Sequence, residues 1–327
     1  MSGPAWQFTV IGAGSLGCVY GGNLARIGQR VGFVDVWQEH VDKIRSEGLR
    51  IEGLTGNFTA LCDATTDPRE APKADVALVC VNAYSTEQAT QTARMLLKPE
   101  GFCLTLQNGA GNVEKLTAAL GTDRVLAGLS FQSGDLLGPG HARHTNNGPT
   151  YMGELDRSET PRLKRLAELF EQGGLNPVLV PDVVSTIWEK FVHNCGINAI
   201  AALTNLRPGH FQEVPAVGEF QTGIIEETVA MLRAKGVSIP HRDYVRDIKE
   251  YCAHKFHRVS MMQHLLRGQR TEIDALNGYV AAESERLGLS APYNTALTQL
   301  MRGREHKPTG DPDQQHAAEQ AVRKGAK

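Results

Sequence analysis

The sequence predicts an α/β chain in which an N-terminal doubly wound sheet of parallel strands is followed by an all-helical C-terminal domain. Three observations predict it. Short β-branched runs alternate with amphipathic stretches through the first half, and a glycine-rich turn joins the first run to the first amphipathic stretch. Near Pro181 the strand-like runs cease while helical periodicity continues. At 327 residues the chain is too long for one small core and fits two domains.

Candidate strands lie at Gln7–Ile11, Arg30–Asp35, Val76–Val81, Phe102–Leu106 and Val125–Gln132. Candidate helices lie between them at Ser15–Ile27, Glu39–Glu47, Thr86–Leu97 and Val113–Leu120, with Gly28, Gly48 and Gly121 where C-terminal caps belong. The stretch from Gly138 to Gly153 is rich in Gly, Pro, Asn and His. Its extended pieces His141–Thr145 and Thr150–Met152 read as a small antiparallel addition to the sheet. Pro161–Gln172 reads as helix and Pro177–Val180 as extended. Helices then follow at Ser185–Leu203, Phe220–Lys235, Tyr244–His264 and Thr271–Leu287. The expected organisation is a dinucleotide-binding domain over 1–181, a helical domain over 182–306 and a flexible tail over 307–327, where large apolar residues are scarce.

Composition narrows the function classes. A formal net charge of -2 gives no global attraction to nucleic acid or an anionic membrane, which leaves a small molecule as the expected partner. No apolar run approaches the roughly 20 residues that span a bilayer, and the start lacks a basic region followed by a cleavable apolar segment. The expectation is a cytoplasmic protein. The 6 cysteines are scattered without a C-x-x-C pair and read as reduced thiols. Cys252, His254 and His257 lie close in sequence, but no second cluster completes a ligand set, so no metal is expected.

The segment GAGSLG places Gly12, Gly14 and Gly17 between a predicted strand and a predicted helix, the context in which G-x-G-x-x-G binds a dinucleotide in a Rossmann-type fold. Gly12 permits the tight turn, Gly14 lets the backbone approach a pyrophosphate, and Gly17 packs helix against strand. Ala13, Ser15 and Leu16 complete the phosphate-facing turn, whose helix N-terminus offers N–H groups and a positive dipole end. Asp35 ends the second predicted strand, where a carboxylate can accept from both ribose hydroxyls. It would repel a 2′-phosphate, and the residues after it, Val36 to Glu39, supply no arginine or lysine. NAD(H) is therefore favoured over NADP(H), with FAD the other dinucleotide the motif admits. A turn or capping aspartate is the alternative reading of Asp35.

Reduction of a carbonyl needs a proton donor or positive charge at the developing alkoxide. In IWEKFVHNCGINAIAALT, Lys190, Asn194 and Asn198 fall at i, i+4 and i+8, and each step of four drifts only about 40° around a helix, so the three share one face. The alternative is structural, with Lys190 pairing with Glu189 or Asp182. His193 could supply the acid instead, although its i+3 position points partly off the Lys190 face. Downstream, SMMQHLLRGQRTEIDALNGYV offers Ser260 on one helix and Glu272 in the first turn of the next, with Thr271 as its N-cap.

Taken in order, GAGSLG at 12–17, QNGAGN at 107–112, WEKFVHNCGIN at 188–198 and SMMQHLLRGQRTEIDALNG at 260–278 resemble the ketopantoate reductase (2-dehydropantoate 2-reductase) family over nearly the whole chain before the tail. The resemblance implies NAD(P)H-dependent reduction of a 2-oxo acid to a 2-hydroxy acid, with ketopantoate converted to pantoate for pantothenate and coenzyme A synthesis. Carried over by position, it makes Lys190 the general acid and sets Glu272 at the substrate's hydroxyl end. It also sets Asn108 between cofactor and substrate, with Asn194, Asn198 and Ser260 holding substrate.

The chain departs from the NADP-using members it resembles at two positions, with Asp35 where an arginine is common and Asn82 where a lysine is common. Both remove positive charge, favour NAD(H) and leave other 2-oxo acids open as substrates. A homodimer is the assembly to test. The competing readings are a β-hydroxyacid dehydrogenase, which also joins a Rossmann domain to a lysine-bearing helical domain, and a non-catalytic NAD-binding sensor.

Overall fold

The structure, a computed structural model, describes residues 5–306. The expected tail at 307–327 lies outside them.

The first strand β1 (Gln7–Ile11) is wholly buried and feeds helix α1 (Ser15–Arg26) through the glycine turn. Next come β2 (Arg30–Val34), α2 (Gln38–Glu47), β3 (Leu49–Gly53), β4 (Phe58–Ala60), β5 (Asp63–Thr65) and β6 (Ala74–Val79). Helix α3 (Thr86–Leu96), β7 (Leu97–Thr105), α4 (Asn112–Leu120), β8 (Val125–Gly138), β9 (His141–Glu154), α5 (Pro161–Gln172) and β10 (Pro177–Leu179) complete the sheet region. Ten strands form one sheet in the order β4-β3-β9-β8-β7-β6-β1-β2-β5, with β10 on β9. Strands β5, β2, β1, β6, β7 and β8 run parallel to one another, and the β8–β9 and β3–β4 pairs are antiparallel.

Alternation along the central strands creates two buried faces. Phe8, Val10, Phe33, Leu78 and Leu104 pack against α1, α2 and α5 on one side, while Ile11, Ala77, Val79 and Cys103 pack against α3 and α4 on the other. This is the doubly wound arrangement expected. Gly28, Gly48 and Gly121 have φ of +86°, +82° and +91°, the conformation that lets each helix end without a Cβ penalty.

Beyond β10 every described element is helical: α6 (Val183–Thr204), α7 (Pro215–Ala234), α8 (Tyr244–Ala253), α9 (Ser260–Leu266), α10 (Asn277–Arg286) and α11 (Pro292–Glu305), with short 3₁₀ turns. The chain divides into two compact units. One takes residues up to Asn194 together with Thr228–Tyr244, and the other takes Cys195–Glu227 and the residues from Val245 onward. No helix among the described residues is long and apolar enough to cross a membrane.

Several expectations need correction. Strands β3, β4 and β5 were not anticipated, and the two extended pieces at 141–152 are one strand of 14 residues whose partner β8 is equally long. The helix expected at Tyr244–His264 stops at Ala253, because the carbonyl of Lys255 accepts the Gly209 N–H (2.8 Å) and the Phe256 ring covers Gly209. The helix expected from Thr271 begins only at Asn277. Thr271 Oγ1 accepts the Ile273 N–H, which starts a 3₁₀ turn at Ile273–Ala275. Leu276, at φ -115° and ψ -103°, then breaks the path into α10. Helix α11 was also missed.

In the second unit, buried amides join four helices. Asn277 Nδ2 donates to the Cys195 carbonyl (3.1 Å) and to Asn294 Oδ1 (3.0 Å), and Asn294 Nδ2 donates to Glu227 (2.7 Å) and to the Ile224 carbonyl (3.2 Å). Such bonds satisfy groups that would otherwise be costly to bury.

Candidate active site

Five neighbouring parallel strands, β2, β1, β6, β7 and β8, end at one edge of the sheet in the first unit. The chain beyond the carboxyl ends of β2, β1, β6 and β7 carries Asp35, the glycine turn, Asn82 and Asn108, and Ser130 lies within β8. In open α/β sheets this edge, at the point where the strand order reverses, is where ligands bind. Here the reversal falls at β1, flanked by β2 and β6.

The three glycines of the turn have different physical duties. Gly12 has φ +97°, and a Cβ there would lie 2.7 Å from Val81 Cγ1. A Cβ on Gly17 would lie 2.0 Å from the Gly12 carbonyl oxygen, so the helix can approach the turn only with glycine at that place. Gly14 has ordinary extended backbone, and a Cβ on it would meet nothing within 4 Å. The fold requires Gly12 and Gly17, whereas Gly14 keeps open a space beside the N-terminus of α1. That space suits the close approach of a pyrophosphate.

Asp35 meets this turn directly. One carboxylate oxygen accepts the Ala13 N–H (2.6 Å) and the other accepts the Trp37 N–H (2.9 Å). The aspartate therefore fastens the turn, as the structural reading anticipated. A carboxylate has about four acceptor positions, so this does not exhaust its capacity for ribose hydroxyls. Trp37 stacks on buried His40, with ring centroids 5.1 Å apart.

Asn82 is half-buried ahead of the short turn Ala83–Ser85, and its Nδ2 donates to the Tyr84 hydroxyl (2.8 Å). Asn108 follows β7 in a loop braced by its neighbours. Gln107 Nε2 donates to the Val81 carbonyl (3.0 Å) and to Thr86 Oγ1 (2.8 Å), Thr86 donates to Asn112 Oδ1 (2.7 Å), and Asn112 Nδ2 donates to the Asn108 carbonyl (2.8 Å). Within this frame Asn108 Oδ1 is buried and has no hydrogen-bond partner in the chain. A buried amide oxygen without a donor is costly, and a bound group with an N–H or O–H, such as a carboxamide or a substrate hydroxyl, would relieve it.

Lys190 is half-buried on α6, and its ammonium donates to the Ser130 carbonyl (2.6 Å) and stands 5.0 Å from the Phe131 ring centroid. The sequence alternatives for its partner have other partners themselves, Glu189 with Arg242 (2.7 Å) and Asp182 with Arg157 (2.6 Å). The β8–β9 pairing slips between Ser130 and Gln132, a bulge of the kind that re-aims backbone groups near functional sites. A cavity of about 280 Å³ adjoins Gly109–Gly111 on a different flank of α6, where Ile187, Trp188 and Phe191 line it and Lys190 does not. Asn194 follows Lys190 on the same helix and is half-buried.

The remaining expected site residues belong to the second unit. Asn198 is buried on the last part of α6, Glu272 is 8% exposed and immediately precedes the 3₁₀ turn, and Ser260 is exposed at the first position of α9. Glu272 thus occupies a cap rather than the first turn of a long helix.

Sequence reasoning missed Gln107, Thr86 and Asn112, although QNGAGN had been singled out. The strand run ending at Leu106 followed at once by a glutamine and an asparagine was the available signal.

The chain matches the family model for Ketopantoate reductase PanE/ApbA over residues 8–157 and the model for Ketopantoate reductase PanE/ApbA C terminal over residues 182–305. It is similar to the 2-dehydropantoate 2-reductase of Archaeoglobus fulgidus, at 31% identity over 294 residues, 90% of this chain and 96% of the relative. The 2-dehydropantoate 2-reductase of Halobacterium salinarum is likewise 31% identical, over 90% of this chain and 98% of its own. Among solved structures, a PanE/ApbA family ketopantoate reductase from Ralstonia eutropha JMP134 superposes with a TM-score of 0.84 at 32% identity, covering 91% of this chain and 98% of that one. A D-mandelate dehydrogenase with NADH and anilino(oxo)acetate superposes at 0.83 with 22% identity over 91% and 98% of the two chains, a likeness of fold.

Proposed function

The chain belongs to the ketopantoate reductase family, and from that premise we propose that it reduces 2-dehydropantoate to pantoate with NADH in the cytoplasm, as a step of pantothenate and coenzyme A synthesis. Its class is that of a nicotinamide-dependent oxidoreductase acting on 2-oxo acids. The observation that carries the reading is the lysine ammonium held 2.6 Å from a backbone carbonyl, in a unit whose strand ends also carry the glycine turn and the unpartnered Asn108 oxygen.

The glycine turn and the N-terminus of α1 are suited to the cofactor's pyrophosphate, Asp35 to its adenosine ribose and Asn82 to its neighbouring adenosine region. A reduced nicotinamide supplies the hydride when bound. Lys190 stabilises negative charge on the ketone oxygen and delivers a proton there. Asn108 orients cofactor and substrate, and Asn194, Asn198 and Ser260 hold the substrate through groups that add no competing charge. Glu272 accepts from the substrate's hydroxyl end. The domain division that goes with these roles is 1–181 for cofactor and 182–306 for substrate and catalysis.

The preference for NADH rests on Asp35 and on the absence of an arginine or lysine from Val36 to Glu39. Steady-state kinetics of purified protein with ketopantoate and a panel of other 2-oxo acids, each with NADH and NADPH, test the proposal. The expected result is the highest kcat/KM for ketopantoate with NADH. A higher value for another 2-oxo acid changes the substrate, and binding of NADH without its oxidation across the panel favours a sensor.

A further inference from the structure

We infer that Tyr20 and Ser130 are positioning residues for Lys190, forming with it a chain that runs from the dinucleotide helix α1 through the bulge of β8 to the ammonium. The inference rests on Lys190 being the proton donor proposed above.

Tyr20 has no exposed surface and packs its ring on Phe170, with centroids 5.2 Å apart. A phenylalanine would fill the same apolar space, so the hydroxyl needs its own account. It donates to Ser130 Oγ (2.9 Å) and lies 2.5 Å from Thr150 Oγ1, which in turn donates to the Leu175 carbonyl (2.9 Å). Burial pushes the phenol well above its usual range and keeps it a neutral hydroxyl. Ser130 Oγ also accepts the Gln132 N–H (3.0 Å) across the point where the pairing slips.

The bulge is held from its other side as well. Gln132 Nε2 donates to Asn147 Oδ1 (2.8 Å) and to the carbonyls of Gly148 (2.6 Å) and Leu175 (3.0 Å), and Asn146 Nδ2 donates to the Phe131 carbonyl (2.5 Å). Ser130 is therefore fixed through its side chain by Tyr20 and through its neighbours by Gln132 and Asn146. Its carbonyl is the group that receives the Lys190 ammonium. A displacement of about 1 Å at a catalytic group can cost on the order of 100-fold in rate, so fixing that carbonyl fixes the reactivity of the lysine.

The test uses the full-length enzyme, with kcat, KM, NADH Kd and Tm measured for Tyr20→Phe, Ser130→Ala, their double variant, and each of these in a Lys190→Ala background. Tyr20→Phe and Ser130→Ala are expected to lower kcat by about tenfold while KM and NADH Kd stay within about twofold. The double variant should lose less than the product of the two single losses, because both singles remove one shared bond. In the Lys190→Ala background, Tyr20→Phe should change residual turnover by less than about twofold, since nothing remains to be positioned. A merely structural role predicts a comparable loss with or without the lysine, and that result overturns the inference. Unchanged kcat in Tyr20→Phe beside an inactive Lys190→Ala overturns it alone, and undiminished turnover in Lys190→Ala overturns the parent reading. If Tyr20→Phe does not fold, Ser130→Ala in both backgrounds gives the same decision.

Discussion

Lys190 and Phe131 meet as cation and ring face, 5.0 Å from ammonium to centroid, while the same ammonium donates to the carbonyl of the residue just before that phenylalanine. The ring is itself braced edge-on by Tyr151, at 6.1 Å, and is 36% exposed. The lysine is thus oriented from two sides by one short stretch of β8, which holds its charge in place with neutral groups.

Replacing Lys190 by alanine should lower kcat by about 100-fold or more, the range of a lost general acid. NADH Kd should stay within about twofold, because the proposed contribution arises in the transition state. Stopped-flow reduction and a cofactor titration check both halves. Equal turnover in the variant removes Lys190 from the mechanism.

Gly14→Ala and Gly17→Ala should behave oppositely. The Gly17 substitution drives a Cβ to 2.0 Å from a carbonyl oxygen and should destabilise the fold by at least about 1–3 kcal/mol, seen in urea or thermal unfolding. The Gly14 substitution meets open space, so its stability should change by less than about 0.5 kcal/mol. Its NADH affinity should nonetheless fall by about tenfold or more, since the methyl occupies room reserved for phosphate. Normal NADH binding by a folded Gly14→Ala protein would detach that turn from the cofactor.

Asp35→Ala should weaken NADH more than NADPH and so narrow the ratio of their Kd values. Because the carboxylate also accepts from Ala13 and Trp37, some loss of affinity for both cofactors is expected. The ratio is the diagnostic quantity. If it does not move, Asp35 is a fastener of the turn and reads no ribose.

Acid should destabilise the first unit through two buried histidines. Burial holds both His40 and His144 below the usual 6.5. His40 Nδ1 accepts the Gly140 N–H (2.9 Å), and His144 Nε2 lies 2.7 Å from Gln132 Oε1. Between the lowered folded values and about 6.5 the unfolded chain binds protons that the folded chain does not, so stability is complete above that range and declines as pH falls through it. A Tm series from pH 7.5 to 5 should show the decline, with a shallower slope in His144→Gln. A flat series in the parent protein refutes the assignment.

The parts of the fold that the sequence disclosed are those whose signals are local. β1, the glycine turn and α1 are contiguous, and the boundaries of α5 were read without error because Pro161 and the periodic leucines mark it. β3 was hidden because four of its five residues, Arg50 to Gly53, pair with β9 about ninety positions away, and nothing near Leu49 advertises that partner. The break after Ala253 depends on Phe256 covering Gly209, a tertiary contact that periodicity cannot encode. At the candidate site, spacing singled out Asp35 and the glycines, and a polar face on an apolar helix singled out Lys190. Tyr20 was not, since one tyrosine among buried residues reads as core, and its hydroxyl partners stand 110 and 130 positions downstream.

The double attachment of Asp35 makes the residue at that position a knot in the turn as well as the proposed reader of the cofactor. Introducing a long cationic side chain there, the obvious route to a phosphorylated coenzyme, unties Ala13 and Trp37 at the same stroke. Coenzyme exchange in this scaffold is consequently a two-part engineering problem, in which new anchors for those amides must be installed before altered charge can be of use.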